Sequence, residues 1–200
     1  YATKNHKVWI STNMQFLLEH KNMMDALSPY DVTEEEFIEK ALKYECEEAF
    51  TLIRMTMVVT TQISTSRELN RTSPNSIAEQ STRYCNLENK GGVQIGRPHW
   101  YDGGTRWQRM VYGLVCRVCE WGYNRLLKSS MKPQDARGIL PLDTYTVVAY
   151  TYSLAEWSHI LDLRYHGKTG TPHPNAKIIG EKIRNIIIER MHWYCDEFDI

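Results

Sequence analysis

The apolar and polar positions change period along the chain, and each change marks an element. From Leu52 to Thr61 they alternate, with Ile53, Met55, Met57 and Val59 on one side and Arg54, Thr56 and Thr60 on the other. A period of two is that of a half-buried strand. Thr144 to Tyr152 is rich in Thr, Tyr and Val and predicts a second strand, because such side chains fit a pleated surface. Val8 to Ile10 is a short apolar segment that reads as an edge strand. Elsewhere the period lengthens to that of a helix. Trp107, Met110, Val111, Leu114, Val118 and Trp121 recur at helical spacing behind Thr105-Arg106-Trp107-Gln108, a capping box. Ser153-Leu154-Ala155-Glu156 is another such start and opens a helix to about Arg164. Thr33-Glu34-Glu35-Glu36 opens one through about Glu48, with Phe37, Ala41, Leu42 and Tyr44 toward the core. A last helix begins near Asn175 and carries Ile179, Ile183, Ile187 and Met191 on one face. Glycine- and proline-rich loops separate these elements. Long helices with few strands and no internal repeat predict an α+β fold, one domain over residues 1–200.

Composition narrows the function classes. Lys plus Arg is 24 and Asp plus Glu is 24, so the formal charge is zero, without the basic excess that a nucleic acid polymer demands. No apolar run is long enough to cross a bilayer, and Tyr1 to His6 shows no apolar signal core, so the expected setting is cytoplasmic, away from membranes. Five cysteines, Cys46, Cys85, Cys116, Cys119 and Cys195, do not make a disulfide framework. The Cys116-Arg117-Val118-Cys119 motif lies inside a helical pattern and reads as packed thiols. His166 and His173 share a loop but lack a third ligand nearby, so no metal site is expected.

The chemistry concentrates between Arg67 and Tyr84, where Arg67, Arg71 and Arg83 alternate with hydroxyl and carboxylate side chains. Arginine offers a planar fork of donors suited to phosphate or carboxylate, and hydroxyls and turn N–H groups can complete an anion pocket. Spacing alone is equally compatible with a solvated polar helix and loop.

The wording of the segment goes further. Arg71-Thr72-Ser73 is followed by seven residues, Pro74 to Gln80, and then Ser81-Thr82-Arg83-Tyr84. Two more blocks follow in order, Ala136-Arg137-Gly138-Ile139-Leu140-Pro141-Leu142-Asp143-Thr144-Tyr145-Thr146 and Leu161-Asp162-Leu163-Arg164. Together they resemble the flavin-dependent thymidylate synthases, whose signature is Arg-His-Arg, seven residues and Ser. The resemblance runs from about Ser28 to the C-terminus. It implies an α+β domain with a central antiparallel sheet flanked by long helices, assembled as a homotetramer with active sites shared between subunits. It implies the pyrimidine deoxynucleotide monophosphate dUMP as substrate, methylenetetrahydrofolate as one-carbon donor, and FAD and NADPH as source of the hydride. By position, Ser81 and Arg83 match residues that hold the nucleotide, with Glu79 beside them and Arg67 and Glu68 in the flank. Arg137 and Arg164 match arginines that reach its phosphate or base. Arg164 and Ser81 are the catalytic candidates, Arg164 because a cation at the base stabilises charge on a pyrimidine carbonyl when C5 becomes nucleophilic. Arg71, Thr72, Ser73, Ser153 and His159 fall at flavin-side positions.

The departures from the signature cluster on that flavin side. The motif's His is Thr72, its second Arg is Ser73, two asparagines are Ser153 and His159, and a glutamine is Glu68. A hydroxyl donates one hydrogen and carries no charge, so donors for an anionic pyrophosphate are lost. Three readings stand at this point: a thymidylate synthase with a rebuilt flavin pocket; a hydroxymethylase of dUMP or dCMP in which water completes the reaction; and a non-catalytic nucleotide-binding or assembly homologue. Glu68 only accepts hydrogen bonds, a hint toward a cytosine amino group.

Overall fold

The computed structural model describes the backbone of Ala2–Lys4 and Lys7–Trp9, and residues 53–72, 76–83, 87 and 91–191. The capping box at Thr33 with its helix, and Ser73, lie outside the described residues. Strands β1 (Ala2–Lys4) and β2 (Lys7–Trp9) form an antiparallel pair with Thr3 opposite Val8. The expected edge strand thus lies one residue earlier than its apolar run.

The main sheet is three-stranded and antiparallel. Strand β3 (Arg54–Gln62) leads directly into helix α1 (Ile63–Leu69), and the short β4 (Ile77–Glu79) follows. Strand β5 (Tyr145–Ser153) lies between β3 and β4. Its register runs from Arg54 opposite Ser153 to Gln62 opposite Tyr145, and on its other edge Ile77 faces Tyr150 and Glu79 faces Val148. Because side chains alternate, Val148, Tyr150 and Tyr152 all enter the core with Ile53, Met57 and Val59 from β3.

Helix α1, through Leu69, and two later helices close that core. Helix α4 (Leu154–Leu161) starts at Ser153, whose Oγ accepts from the Glu156 N–H at 3.2 Å while Glu156 Oε2 accepts from the Ser153 N–H at 2.7 Å. Both arms of this capping box satisfy donors that a helix start leaves open. Leu154, Trp157, Ile160 and Leu161 are buried, each contributing about 1.5–3 kcal/mol by its removal from water. The Trp157 indole N–H donates to the Met55 carbonyl at 3.0 Å, so the ring is buried without an orphan donor. Helix α5 (Pro174–Arg190) adds Ile183 and Ile187, with Met191 just past its end.

Between α4 and α5 the backbone widens into a π-helical turn, Asp162–His166, which ends at Gly167 with φ of 75°. Only glycine adopts that left-handed conformation without cost. The helix expected to reach Arg164 therefore stops at Leu161, and Arg164 sits on the wide turn. Gly180 of α5 packs on this turn: a Cβ there would meet the Arg164 carbonyl oxygen at 3.4 Å and the Tyr165 Cβ at 3.2 Å.

Helix α2 (Arg106–Lys128) also starts with a complete capping box, between Thr105 and Gln108. Among the described residues its apolar stripe does not join the main core. Tyr123 is its buried residue, while Trp107, Leu114 and Trp121 are 68%, 56% and 65% exposed. The half-buried, free thiols of Cys116 and Cys119 lie on this helix. The short α3 (Pro133–Ala136) and a 3-10 turn, Arg137–Ile139, bring the chain back toward β5. Among the described residues no helix is long and apolar enough to cross a membrane.

Candidate functional site

A cleft of about 650 Å³ opens beside the sheet edge at β4. Three segments form its walls: Ile63, Ser66 and Arg67 of α1; Glu79 of β4 with Gln80, Ser81 and Thr82 after it; and Arg137, Gly138 and Leu140 to Leu142, with Thr146 of β5 at the base. Helical spacing explains the first wall, since residues 63, 66, 67 and 70 share one face of α1. The second wall exists because β4 ends at Glu79 and the chain turns outward. Ser81 shapes that turn, its Oγ accepting from the Arg83 N–H at 3.2 Å. This bond leaves the Ser81 hydroxyl hydrogen available to an acceptor in the cleft.

The third wall carries the main cation. Arg137 donates through Nη1 to Thr82 Oγ1 at 2.8 Å and through Nε to the Gln134 carbonyl at 3.2 Å. Held at two points, the guanidinium keeps donors for a ligand at little entropic cost. Arg67 on the facing wall is exposed. Two arginines and a Ser/Thr pair therefore converge on one opening, a donor set suited to an oxyanion. The cleft also holds one carboxylate. Glu79 Oε1 accepts from Ser66 Oγ at 3.1 Å and Oε2 accepts from Asn70 Nδ2 at 3.3 Å. At the base, Thr146 Oγ1 is buried without a hydrogen-bond partner among the described residues.

Arg67, Glu79, Ser81 and Arg137 are thus brought together. Arg83 follows them on the same turn, exposed. Glu68 and Arg164 are placed elsewhere: they pair with each other, Arg164 Nη1 to Glu68 Oε2 at 3.6 Å, and neither lines the cleft. The Arg164 Nε is buried and has no partner among the described residues. Gln80, Thr82, Gly138 and Thr146 line the cleft and were not singled out in the sequence. Thr82, Gly138 and Thr146 stand inside the sequence blocks that resemble the family, and Gln80 closes the seven-residue spacer before Ser81, which was their only signal.

The flavin-side positions are scattered in character. Arg71 and His159 are exposed. Thr72 is 4% exposed and its Oγ1 is buried without a partner among the described residues. The Ser153 Oγ accepts from the Glu156 N–H as the cap of α4, and its hydroxyl hydrogen is left to donate. A dinucleotide pyrophosphate needs several donors presented together, and the described ones, the Arg71 guanidinium, the His159 imidazole and the Ser153 hydroxyl, are spread over the end of α1 and helix α4. As they stand in a single chain, they do not fit that group.

The thiol and phenols near the site resist ionisation. Burial, reinforced by the Glu79 charge, holds the Tyr150 phenol far above its ordinary range. Burial and the Asp143 carboxylate do the same for Tyr112, which donates to Asp143 Oδ2 at 2.9 Å. Burial also raises Cys116, one turn further along α2.

Comparison with known proteins places this geometry. In the solved structure of a UMP/dUMP methylase PolB from Streptomyces cacaoi bound with 5-Br dUMP, 78% of that chain matches 81% of this one, with a TM-score of 0.63 and 24% identity. The same enzyme bound with 5-Br UMP matches 76% of each chain with a TM-score of 0.57 and 23% identity. At that identity the likeness is one of fold, a small antiparallel sheet packed with helices. No curated protein matches. The family model described as thymidylate synthase complementing protein matches residues 3–190. That span covers both strand pairs, the cleft and helix α5, and the chain belongs to the thymidylate synthase complementing protein family, the flavin-dependent thymidylate synthases.

Proposed function

We propose that this protein transfers a one-carbon unit from methylenetetrahydrofolate to C5 of a pyrimidine deoxynucleotide monophosphate, with dUMP as the substrate. The observation that carries the reading is the cleft in which Arg67, Ser81, Thr82 and Arg137 converge, in a chain of this family. A nucleotide phosphate is close to a dianion at neutral pH, and clustered guanidinium and hydroxyl donors stabilise it by charge-assisted hydrogen bonds. The solved relatives of this fold carry 5-bromo analogues of dUMP and UMP, in keeping with a uracil nucleotide here.

The site is finished by another copy of the chain. Arg164, the candidate for the base, keeps an unpartnered buried Nε but does not line the cleft of its own protomer. The apolar stripe of α2 gives a surface for such assembly, and a homotetramer with shared sites is the arrangement that family membership favours.

Two endings follow C5 attack. A hydride from reduced flavin, with FAD and NADPH, gives a methyl group and dTMP, the ending favoured by the family. Water at the exocyclic methylene gives a hydroxymethyl group. The burial of Thr72, which takes the place of the motif's His, favours the second ending as the alternative. Mass spectrometry of the nucleotide after incubation with dUMP, methylenetetrahydrofolate and NADPH, with and without FAD, separates them. A methyl gain only with FAD supports the first and a hydroxymethyl gain without FAD the second. An unchanged nucleotide, for dUMP and dCMP alike, would sink the enzymatic reading and leave a binding homologue.

A further inference from the structure

The carboxylate in the cleft is anchored from the protein core. Asn70, at the end of α1, donates from Nδ2 to Glu79 Oε2 at 3.3 Å and accepts at Oδ1 from the Tyr150 hydroxyl at 2.8 Å. The Tyr150 ring is 1% exposed, stacked on Tyr152 and edge-on to Trp157, so its hydroxyl is the fixed end of the chain. Amide chemistry sets the orientation: turned over, Asn70 would place a carbonyl oxygen against a carboxylate. Ser66, one turn before Asn70 on the same helix face, shares its one hydroxyl hydrogen between the Ile63 carbonyl at 3.0 Å and the other Glu79 oxygen at 3.1 Å, so Asn70 is the firmer anchor. Glu79 stands at an exposed strand end, where an unsupported side chain would sample several rotamers.

We propose that Asn70 and Tyr150 are positioning residues that set Glu79 to accept a hydrogen bond from the sugar 3′-hydroxyl of the bound nucleotide. The inference rests on the nucleotide reading of the cleft. A carboxylate only accepts, and it repels a phosphate, so its partner is a neutral donor of the ligand. Among the described residues each Glu79 oxygen accepts one hydrogen bond and keeps a second lone pair. Glu79 lies two residues before Ser81, roughly 7 Å of extended chain. With the phosphate at Ser81, Thr82 and Arg137, the group within that reach is the sugar, whose donor in a deoxynucleotide is the 3′-hydroxyl. Burial keeps the Tyr150 phenol protonated, so this end of the relay remains a donor across the neutral range.

The test compares binding of dUMP and of 2′,3′-dideoxyuridine monophosphate, by titration calorimetry, to the full-length wild type and to Asn70→Ala, Tyr150→Phe, Glu79→Ala and Arg137→Ala. One hydrogen bond to a charged acceptor predicts a wild-type preference for dUMP of about tenfold or more. Asn70→Ala and Glu79→Ala should lose that preference by weakening dUMP alone, and Tyr150→Phe should lose part of it. In turnover the same variants should raise KM for dUMP with kcat little changed. If Asn70→Ala and Tyr150→Phe keep a preference that Glu79→Ala loses, positioning is refuted while the cleft assignment stands. Equal weakening of both nucleotides would show a merely structural role and refute it as well. If Glu79→Ala and Arg137→Ala both bind dUMP like the wild type, the nucleotide reading of the cleft fails first.

Discussion

Arg164 Nη1 lies 3.6 Å from Glu68 Oε2, while Arg67, the residue before Glu68, lines the cleft. Successive residues on a helix diverge by about 100°, so α1 presents one charge to each of two places. In one chain, then, Arg67 and Arg137, proposed for the phosphate, and Arg164, proposed for the base, are apart. If neighbouring subunits bring them together, Arg137→Ala and Arg164→Ala should each be inactive alone. Co-expressed and co-purified as mixed oligomers, they should recover activity, because some sites draw Arg137 from an Arg164→Ala chain and Arg164 from an Arg137→Ala chain. Inactive mixtures, with mixing verified by native mass spectrometry, would contradict a shared site.

Arg137 is tethered to Thr82 and to the Gln134 carbonyl, so its substitution should remove a preorganised phosphate contact without unfolding the turn. A charge-assisted hydrogen bond is worth about 1.5–3 kcal/mol, so Arg137→Ala should weaken dUMP binding by about 10- to 150-fold. Deoxyuridine, which lacks the phosphate, should bind both proteins alike. Calorimetry with the two ligands checks this, and equal losses for both would remove Arg137 from the phosphate.

The legible parts of this chain were those with a strong period or a sharp cap. Alternation at Ile53 to Val59 marked β3, and the Thr105 and Ser153 capping boxes marked the starts of α2 and α4 to the residue. Strand β4 was not legible, because Ile77-Ala78-Glu79 is too short to show a period and is held by pairing to β5. The π-helical turn at Arg164 was not legible either: its widening depends on α5 packing at Gly180, a contact between distant segments. The pattern on α2 showed which face is apolar, but a pattern carries no record of what covers it. Arginine and hydroxyl motifs marked the cleft walls, while Thr146 at its base carries no chemical signature of its own.

Ser153 separates capping from cofactor binding. Ser153→Ala removes the acceptor for the Glu156 N–H and should cost about 1 kcal/mol, read as a lower midpoint in urea unfolding. Ser153→Asp should retain that stability. If Ser153 serves only the helix, FAD titrations followed by flavin absorbance should be identical for all three proteins. A change in flavin affinity that does not track stability would assign the hydroxyl to the cofactor.

Alkaline pH should destabilise the fold through Tyr150 and Tyr112. Both phenols have folded-state pKa values raised above the ordinary value near 10 by burial and by neighbouring carboxylates. Above about pH 10 the unfolded chain releases these protons and the folded chain retains them, so the unfolded state binds fewer protons and stability falls as pH rises. Below that pH the contribution is fully present. Each retained proton predicts a loss of about 1.4 kcal/mol per pH unit until the folded phenol itself ionises. Urea unfolding between pH 9 and 11 measures the slope, and Tyr150→Phe should make it shallower. An unchanged slope would mean that Tyr150 ionises equally easily in both states.

The exposed face of α2 should decide whether the protein assembles. Trp107, Val111, Leu114, Val118 and Trp121 recur at alternating steps of four and three, the spacing of a helix seam that packs on another helix. All five are exposed in the single chain, with Val111 at the low end of exposure. A contiguous apolar stripe of this kind is uncommon on a monomer and marks an association surface. Met110 and Val115 widen the stripe, while the last turn is basic with Arg125 and Lys128, so the apolar face is the part that must leave water. Leu114→Glu places a charge at the centre of that stripe, where it would be desolvated on association, yet in the isolated chain it faces solvent. Size-exclusion chromatography with light scattering should therefore show smaller assemblies for Leu114→Glu, while circular dichroism keeps the helical signal. If sites are shared between chains, turnover should fall with assembly and recover in part at higher protein concentration. A variant that remains fully assembled and fully active would place the subunit contacts on another face.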